Sequence, residues 1–241
     1  MSLVVLPTPE AACRRAADIV AELVTAKPDA VLALPAGNTP RPVYADLARR
    51  HRAERLSFAR ATAFSLDEYV GIGPEHAASF RRFMADELYR HVDLPRAGTH
   101  APDGDAADLR AACEHYERTI AAAGGFDLCL LGIGGNGHIA FNEPGTPTDS
   151  RTHIVMLADE TRRALVASFG AERVPSQAIT IGVATILGAR RCVLLAYGAA
   201  KAGVIARAVG GPATPDLPAS ALQLHADATI IVDAAAASQL A

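Results

Sequence analysis

The chain has 241 residues, half of them hydrophobic and a fifth charged, so it can bury a substantial core and is not intrinsically disordered. Twenty-three basic against 26 acidic residues give a formal net charge of -3, which argues against the broad basic surface that dedicated nucleic-acid binding needs. Aromatic residues make up only 5% and Trp is absent, which favours closely packed helices over a stacking surface for RNA or carbohydrate.

The cysteines and the N-terminal residues indicate the cellular compartment of the protein. Four widely spaced cysteines form no CxxC pair, namely Cys13, Cys113, Cys129 and Cys192. This spacing argues against a zinc ribbon or a thioredoxin-like site and predicts buried free thiols in a reducing compartment. Residues 1–7 form too short an apolar run for a signal peptide, and no stretch approaches the roughly 20 residues of a membrane span. We expect a soluble, cytoplasmic protein without nucleic-acid or membrane partners, and the sequence leaves a homo-oligomer open.

Apolar runs and helical spacing alternate along the chain. In chain order they predict strands at 3–6, 31–34, 61–66, 127–131, 192–196 and 229–232, and helices at 9–25, 43–50, 79–90, 109–122 and 201–209. Strands that are almost entirely apolar and separated by helices indicate an α/β protein, with a mainly parallel sheet covered on both faces. No repeat or interdomain linker interrupts the pattern, so we predict one domain over residues 1–241.

Ligands of open parallel sheets bind beyond the carboxyl ends of the strands, and three polar segments fall there: 35–40, 67–71 and 132–145. In the first, Gly37 allows close backbone approach, and Thr39 is suited to cap a helix that has Pro40 at its first position. Free amides at such a helix start form an anion site, although the segment taken alone is better explained as an ordinary strand-to-helix turn. The segment lacks the GK[ST] ending of a nucleoside-triphosphate loop.

The second segment places two carboxylates, Asp67 and Glu68, side by side at a strand end. Consecutive strand residues point to opposite sides, so both are not expected to serve the same point. One would face the crevice as a base while the other caps or pairs structurally. A solvated turn is the alternative interpretation.

The third segment is glycine-rich and contains G-x-G-x-x-G at residues 132–137. A dinucleotide site is not indicated, because this strand lies mid-chain and the loop soon reaches Pro144 instead of opening a long helix. The loop presents Asn136, His138 and Glu143, and a histidine beside a carboxylate forms an acid–base unit. A structural histidine is the alternative. No HExxH or G-x-S-x-G motif supports metal or serine hydrolysis.

These segments resemble the glucosamine-6-phosphate deaminase family. The matching stretches are LPAGNTP at 34–40, SLDEYVG at 65–71, LGIGGNGHIAFNEPG at 131–145, QAITIGVATIL at 177–187 and YGAAKAG at 197–203. GNGHIAFNEPG is the most specific of them. The resemblance implies a Rossmann-like, doubly wound sheet. It also implies an enzyme that converts glucosamine 6-phosphate and water to fructose 6-phosphate and ammonia, without a metal or nucleotide cofactor.

The resemblance also implies catalytic roles for four residues. His138, oriented by Glu143 and helped by Asn136, would move a proton between the ring oxygen and the anomeric hydroxyl. Asp67 would then take the proton from C2 and transfer it to C1. A carboxylate suits this step if partial burial raises its pKa toward neutrality.

Phosphate binding is assigned, by the same resemblance, to the amides around Gly37, Asn38 and Thr39, with Lys201 supplying charge. Many relatives carry an additional phosphate-binding Arg in a TRxxNxRFF stretch, where this chain has Ala167. Arg163 lies one helical turn earlier, so we predict that it reaches the phosphate instead.

Two other functions remain open at this stage. The first is 6-phosphogluconolactonase, whose glycine loop typically continues toward S-L-F-P, whereas this chain reads F-N-E-P at 141–144. The second is a non-catalytic sugar-phosphate sensor, which would carry a fused helix-turn-helix for which residues 1–30 leave no room. The sequence does not decide between glucosamine and galactosamine 6-phosphate.

Overall fold

The computed structural model describes residues 1–169 and 174–240, and within them strands and helices alternate along most of the chain. The strands are β1 (Ser2–Leu6), β2 (Val31–Leu34), β3 (Thr62–Ser65), β4 (Asp67–Tyr69), β5 (Thr99–His100), β6 (Leu128–Leu131), β7 (His153–Met156), β8 (Gln177–Thr180), β9 (Arg191–Ala196) and β10 (Ala228–Asp233). The helices are α1 (Pro9–Ala26), α2 (Arg41–Glu54), α3 (Phe80–Glu87), α4 (Leu109–Ala122), α5 (Asp159–Phe169), α6 (Val183–Leu187) and α7 (Ala202–Gly210).

Seven parallel strands form the main sheet, in the order β1-β10-β9-β6-β2-β3-β5. From β2 the chain builds outward through β3 and β5, then crosses to the other side of β2 and continues through β6, β9 and β10. The direction therefore reverses between β2 and β6, which is where doubly wound sheets bind ligands. The predicted fold class, a Rossmann-like and mainly parallel sheet, is confirmed.

The core lies on both faces of this sheet because neighbouring strand residues point in opposite directions. In β2, Leu32 and Leu34 pack into the layer formed with α1, α2 and α3. Val31 and Ala33 pack into the opposite layer with α4, α6 and α7. Both layers are closed, which explains why the central strands are apolar throughout.

A second, three-stranded antiparallel sheet in the order β4-β8-β7 was not predicted. The sequence predicts that the strand starting at residue 61 runs to Leu66, but β3 ends at Ser65 and Asp67 opens β4 instead. The amide of Ile181 donates to the carbonyl of Leu66 and Asp67 pairs with Thr180, so the chain changes sheets at this point. Pairing with β8 fixes the backbone that carries Asp67.

The start of α2 differs from the prediction. The helix begins at Arg41, its N-cap is Pro40, and no side chain caps it. Pro40 has φ -82° and ψ -10°, which is already helical, so Thr39 lies one residue too early to be the cap. The carbonyl of Asn38 accepts from the amide of Arg41, at 3.3 Å. The loop therefore passes directly into the helix.

All four cysteines are buried free thiols, as the sequence predicts. Cys129 and Cys192 are register partners on β6 and β9 and belong to the same core layer. Within residues 1–169 and 174–240, no helix combines the length and the apolar character needed to cross a bilayer.

Candidate active site

The loops that follow β2, β3 and β6 meet at the carboxyl edge of the sheet and enclose a cavity of about 660 Å³. Its walls come from the loop after β2, the glycine loop after β6, the start of α3, one face of α5 and the residue that precedes α7. The volume is in the range of sites for small molecules. The three segments that the sequence singles out are thus brought together.

A recess of about 170 Å³ shares Gly37, Asn38, Phe80 and His138 with this cavity and contains Asp67. Asp67 is only 6% exposed, and its carboxylate makes no hydrogen bond with any described residue. Burial, together with the charge of Glu68, raises the pKa of Asp67 well above the ordinary value of 3.8. A carboxylate with a raised pKa and free oxygens is suited to accept a proton from a substrate.

The neighbouring carboxylate, Glu68, is fully hydrogen-bonded to the start of α3 and to β4. Oε1 of Glu68 accepts from the amides of Tyr69 and Phe80, at 2.9 and 3.1 Å. Its Oε2 accepts from the hydroxyl of Ser79 and the amide of Arg81, at 2.7 and 3.0 Å. Glu68 therefore caps α3 and ties that helix to β4, beside Asp67. The structure separates the two carboxylates into one that faces the recess and one that caps a helix.

We predict that Glu68→Gln lowers the free energy of unfolding by about 2 kcal/mol, because an amide nitrogen would face donors that now meet a carboxylate oxygen. Urea unfolding followed by circular dichroism measures the change. The matched control is Glu54→Gln, an exposed carboxylate paired with Arg49, which should change stability by about 0.5 kcal/mol or less. Equal stabilities for the two variants would contradict the capping role.

The glycine loop holds a histidine, an asparagine and a carboxylate together. Nδ1 of His138 lies 3.5 Å from Oε2 of Glu143, which is long for a hydrogen bond. Nδ2 of Asn136 donates to the same oxygen at 2.7 Å, and Oδ1 of Asn136 accepts from the amide of His138 at 3.2 Å. Asn136 thus bonds both the backbone of His138 and the carboxylate of Glu143 and holds the two residues together.

The other oxygen of Glu143 is held by residues that the sequence analysis did not name. The hydroxyl of Thr161 donates to Oε1 at 2.6 Å, and the amide of Ala158 donates at 3.2 Å. Burial alone would raise the pKa of Glu143, but the contacts with His138, Thr161 and Asn136 outweigh it and lower the pKa to about 2. Glu143 is therefore charged at neutral pH. Its contribution to stability is complete above pH 4.5, the ordinary pKa, and is lost as the pH falls toward 2.

Two glycines are required by this geometry. A Cβ atom on Gly134 would lie 2.3 Å from Cε1 of His138, so only glycine leaves room for the imidazole. Gly37 has φ +105°, a conformation that residues with side chains rarely adopt. These positions explain why the two loops contain glycine where they approach the cavity.

Of the residues predicted to bind phosphate, Gly37, Asn38 and Lys201 line the cavity and Thr39 lines the recess. Nζ of Lys201 donates to the carbonyl of Ile133 at 2.8 Å, which holds the ammonium beside the glycine loop. Burial lowers the pKa of Lys201, and the nearby carboxylate of Glu160 opposes this.

The structure contradicts the prediction that Arg163 reaches the phosphate. It is exposed and does not line the cavity, whereas Thr161, Leu165 and Phe169 on the same helix do. Each helical residue turns the chain by about 100°, so Arg163 points about 200° away from Thr161 and Leu165. We therefore leave Arg163 out of the site. The side chain of Ala167 lies outside the described part of the chain.

Sequence reasoning also missed residues that the structure places in the cavity wall. Arg41 lines it at the first position of α2, and Phe80 lines it at the first position of α3. A basic residue directly after the 37–40 segment was a usable signal for Arg41. Thr161 gave no local signal, because its contact with Glu143 joins separate parts of the chain. Within the described residues, no three His, Cys, Asp or Glu side chains are grouped so that they could hold a metal ion.

Comparison with known proteins identifies the family. The family described as glucosamine-6-phosphate isomerases/6-phosphogluconolactonase matches residues 8–231. Glucosamine-6-phosphate deaminase of Arthrobacter sp. (strain FB24) is 47% identical over 241 residues, covering 100% of this chain and 93% of the relative. The enzyme of the same name from Bacillus velezensis is 46% identical over 224 residues, covering 92% of this chain and 93% of the relative.

Solved structures agree with these sequence matches. The structure of a monomeric glucosamine-6-phosphate deaminase superposes with a TM-score of 0.97 at 42% identity, covering 99% of this chain and 100% of that one. A 6-phosphogluconolactonase from Trypanosoma brucei superposes at 0.80 with 21% identity, covering 100% and 98%, and shares the fold alone. The predicted resemblance to the deaminases is thereby confirmed. The chain belongs to the glucosamine-6-phosphate isomerase/6-phosphogluconolactonase family.

Proposed function

We propose that this protein is an enzyme that converts glucosamine 6-phosphate and water to fructose 6-phosphate and ammonia. One observation carries the proposal: Asp67 and His138 line the same recess, and the Asp67 carboxylate makes no hydrogen bond with a described residue. One group that can move protons at oxygen and one that can remove a proton from carbon therefore face the same space.

In the first step, His138 takes the proton of the anomeric hydroxyl and returns it to the ring oxygen, so the C1–O5 bond breaks and an open-chain aldehyde forms. Glu143, ionised and held by Asn136 and Thr161, lies beside the imidazole of His138 and keeps it oriented. Ring opening by this route needs only proton transfer between two oxygen atoms of the sugar.

The second step starts from the open-chain sugar with its C2 amine protonated. Asp67 removes the proton from C2, the electrons move through C1 to the aldehyde oxygen, and this oxygen takes a proton from the ammonium group, which gives an enol with a neutral amine at C2. Asp67 then delivers the C2 proton to C1, and the nitrogen electrons convert C2 into an iminium carbon. Water adds to C2, one of its protons passes to the nitrogen, and ammonia leaves as the second proton is lost from the oxygen, which completes the ketone of fructose 6-phosphate. The raised pKa of Asp67 suits both halves of this transfer, because a carboxylate with a higher pKa is a stronger base.

The phosphate is held by the loop at Gly37, Asn38 and Thr39, which lines the cavity and its recess, and by Lys201 in the cavity wall. The family match at 8–231 supports one sugar-phosphate isomerase/deaminase domain over the whole chain. Four free thiols support a reducing, cytoplasmic compartment.

An ammonia-release assay tests the proposal, with glucosamine 6-phosphate and galactosamine 6-phosphate measured side by side. We expect ammonia from glucosamine 6-phosphate, in equal amount to fructose 6-phosphate. Hydrolysis of 6-phosphogluconolactone without ammonia release would instead support a lactonase. Inactivity on all three compounds would support a non-catalytic sugar-phosphate sensor.

A further inference from the structure

Two cationic side chains line the cavity, whose wall also includes Gly37 and Asn38. Lys201 is one of them, and Arg41, at the first position of α2, is the other. Glu160 also lines this cavity, and the adjoining recess holds Asp67 beside Gly37, Asn38 and Thr39. Arg41 and Lys201 therefore supply the positive charge of the described cavity wall.

Arg41 is held in place by α3. Its guanidinium carbon lies 4.8 Å from the centre of the Phe83 ring, and one of its terminal nitrogens forms an ion pair with Glu87. The other guanidinium nitrogens make no hydrogen bond with a described side chain or carbonyl. A guanidinium carries five N–H donors, so this arrangement orients the group and leaves most of its donors free.

The charges around Lys201 show why a second cation matters. Glu160 also lines the cavity, and its negative charge partly opposes the lowering of the Lys201 pKa by burial. Nζ of Lys201 already spends one donor on the carbonyl of Ile133. A phosphate carries a charge of about -1.5 to -2 at neutral pH and needs more than this pair supplies.

We infer that Arg41 binds the phosphate of the substrate together with Lys201, and that Phe83 and Glu87 are positioning residues for its guanidinium. The inference rests on the proposed function. A guanidinium can donate two parallel hydrogen bonds to phosphate oxygens, which a lysine ammonium does not do. Arg41 thereby selects phosphorylated sugars.

The test compares Arg41→Gln with Arg49→Gln, a half-exposed arginine on the same helix that is ion-paired with Asp46 and Glu54, outside the cavity. We expect Arg41→Gln to raise KM for glucosamine 6-phosphate about tenfold or more, with a much smaller change in kcat. Arg41→Lys should recover part of the loss. Arg49→Gln should keep KM within about twofold of the unmodified enzyme.

Calorimetry with inorganic phosphate provides a readout that does not need turnover. Arg41→Gln should weaken phosphate binding about tenfold, and Glu87→Gln, which breaks the ion pair but keeps the guanidinium, should weaken it far less. Equal losses of phosphate affinity in Arg41→Gln and Glu87→Gln would also overturn the inference. The effect would then come from breaking the ion pair that joins α2 to α3, and not from removing the guanidinium. Unchanged phosphate binding in Arg41→Gln would overturn the inference, whereas an inactive unmodified enzyme would overturn the proposed function and leave this result interpretable.

Discussion

Asp67→Asn should lower kcat for ammonia release by about 10³-fold, with little change in KM. The substitution keeps the size and shape of the side chain and removes only its ability to accept a proton from C2. Losses of 10² to 10⁴ are typical when a general base is removed. Ammonia release at saturating glucosamine 6-phosphate measures the effect. Exchange of the C2 hydrogen with solvent deuterium, followed by NMR, should be lost in parallel.

The same variant should not be less stable than the unmodified protein. Burial and the charge of Glu68 raise the pKa of Asp67, so the folded chain binds this proton more tightly than the unfolded chain does. Stability therefore falls as the pH rises above 3.8, and removing the charge removes that loss. The stability advantage of Asp67→Asn should grow as the pH is raised from about 4 toward neutrality, in urea unfolding at several pH values.

A second buried aspartate supplies the matched control. Asp127 accepts from Nζ of Lys27 at 2.6 Å and from the amide of Val31 at 2.8 Å, far from the cavity walls. Asp127→Asn should lower stability by about 2 kcal/mol and leave kcat nearly unchanged, the opposite pattern to Asp67→Asn. If Asp67→Asn retains kcat within tenfold, Asp67 is not the base.

The central strands could be predicted closely because their pattern is local. Residues 31–34 are predicted and observed as β2, since a four-residue apolar run between turn residues has few other uses in an α/β protein. β4 could not be predicted in the same way. Asp67–Tyr69 is short and polar, and it is a strand only because β8, distant in the chain, pairs with it.

The site residues also separate into those predictable from local sequence and those that depend on tertiary packing. The glycine loop that carries His138 and Glu143 was predictable, because the loop places these groups within a few residues of one another. The Thr161 contact with Glu143 depends on how α5 packs, so no local pattern announces it. The prediction for Arg163 was wrong because it assumed that the face of α5 carrying Arg163 and Ala167 is the one toward the cavity. The face that lines the cavity carries Thr161 instead.

His138→Asn should lower kcat/KM for glucosamine 6-phosphate by about 10² to 10³, because opening the ring requires proton transfer between two oxygens. Binding of an open-chain analogue, 2-amino-2-deoxyglucitol 6-phosphate, should change by less than threefold, since that compound has no ring to open. Inhibition constants and calorimetry measure both quantities. The control is His153→Asn on β7, a histidine outside the cavity, which should leave both quantities unchanged.

The comparison of cyclic substrate with open-chain analogue separates two roles that a simple loss of activity would confuse. If His138 mainly holds the sugar, both compounds should lose affinity together. If it moves the proton, only the cyclic substrate is affected, and Glu143→Gln should show the same selectivity because the ionised carboxylate orients the imidazole. Equal losses for both compounds would remove His138 from the ring-opening step, and Asp67 would remain as the group that transfers a proton at carbon.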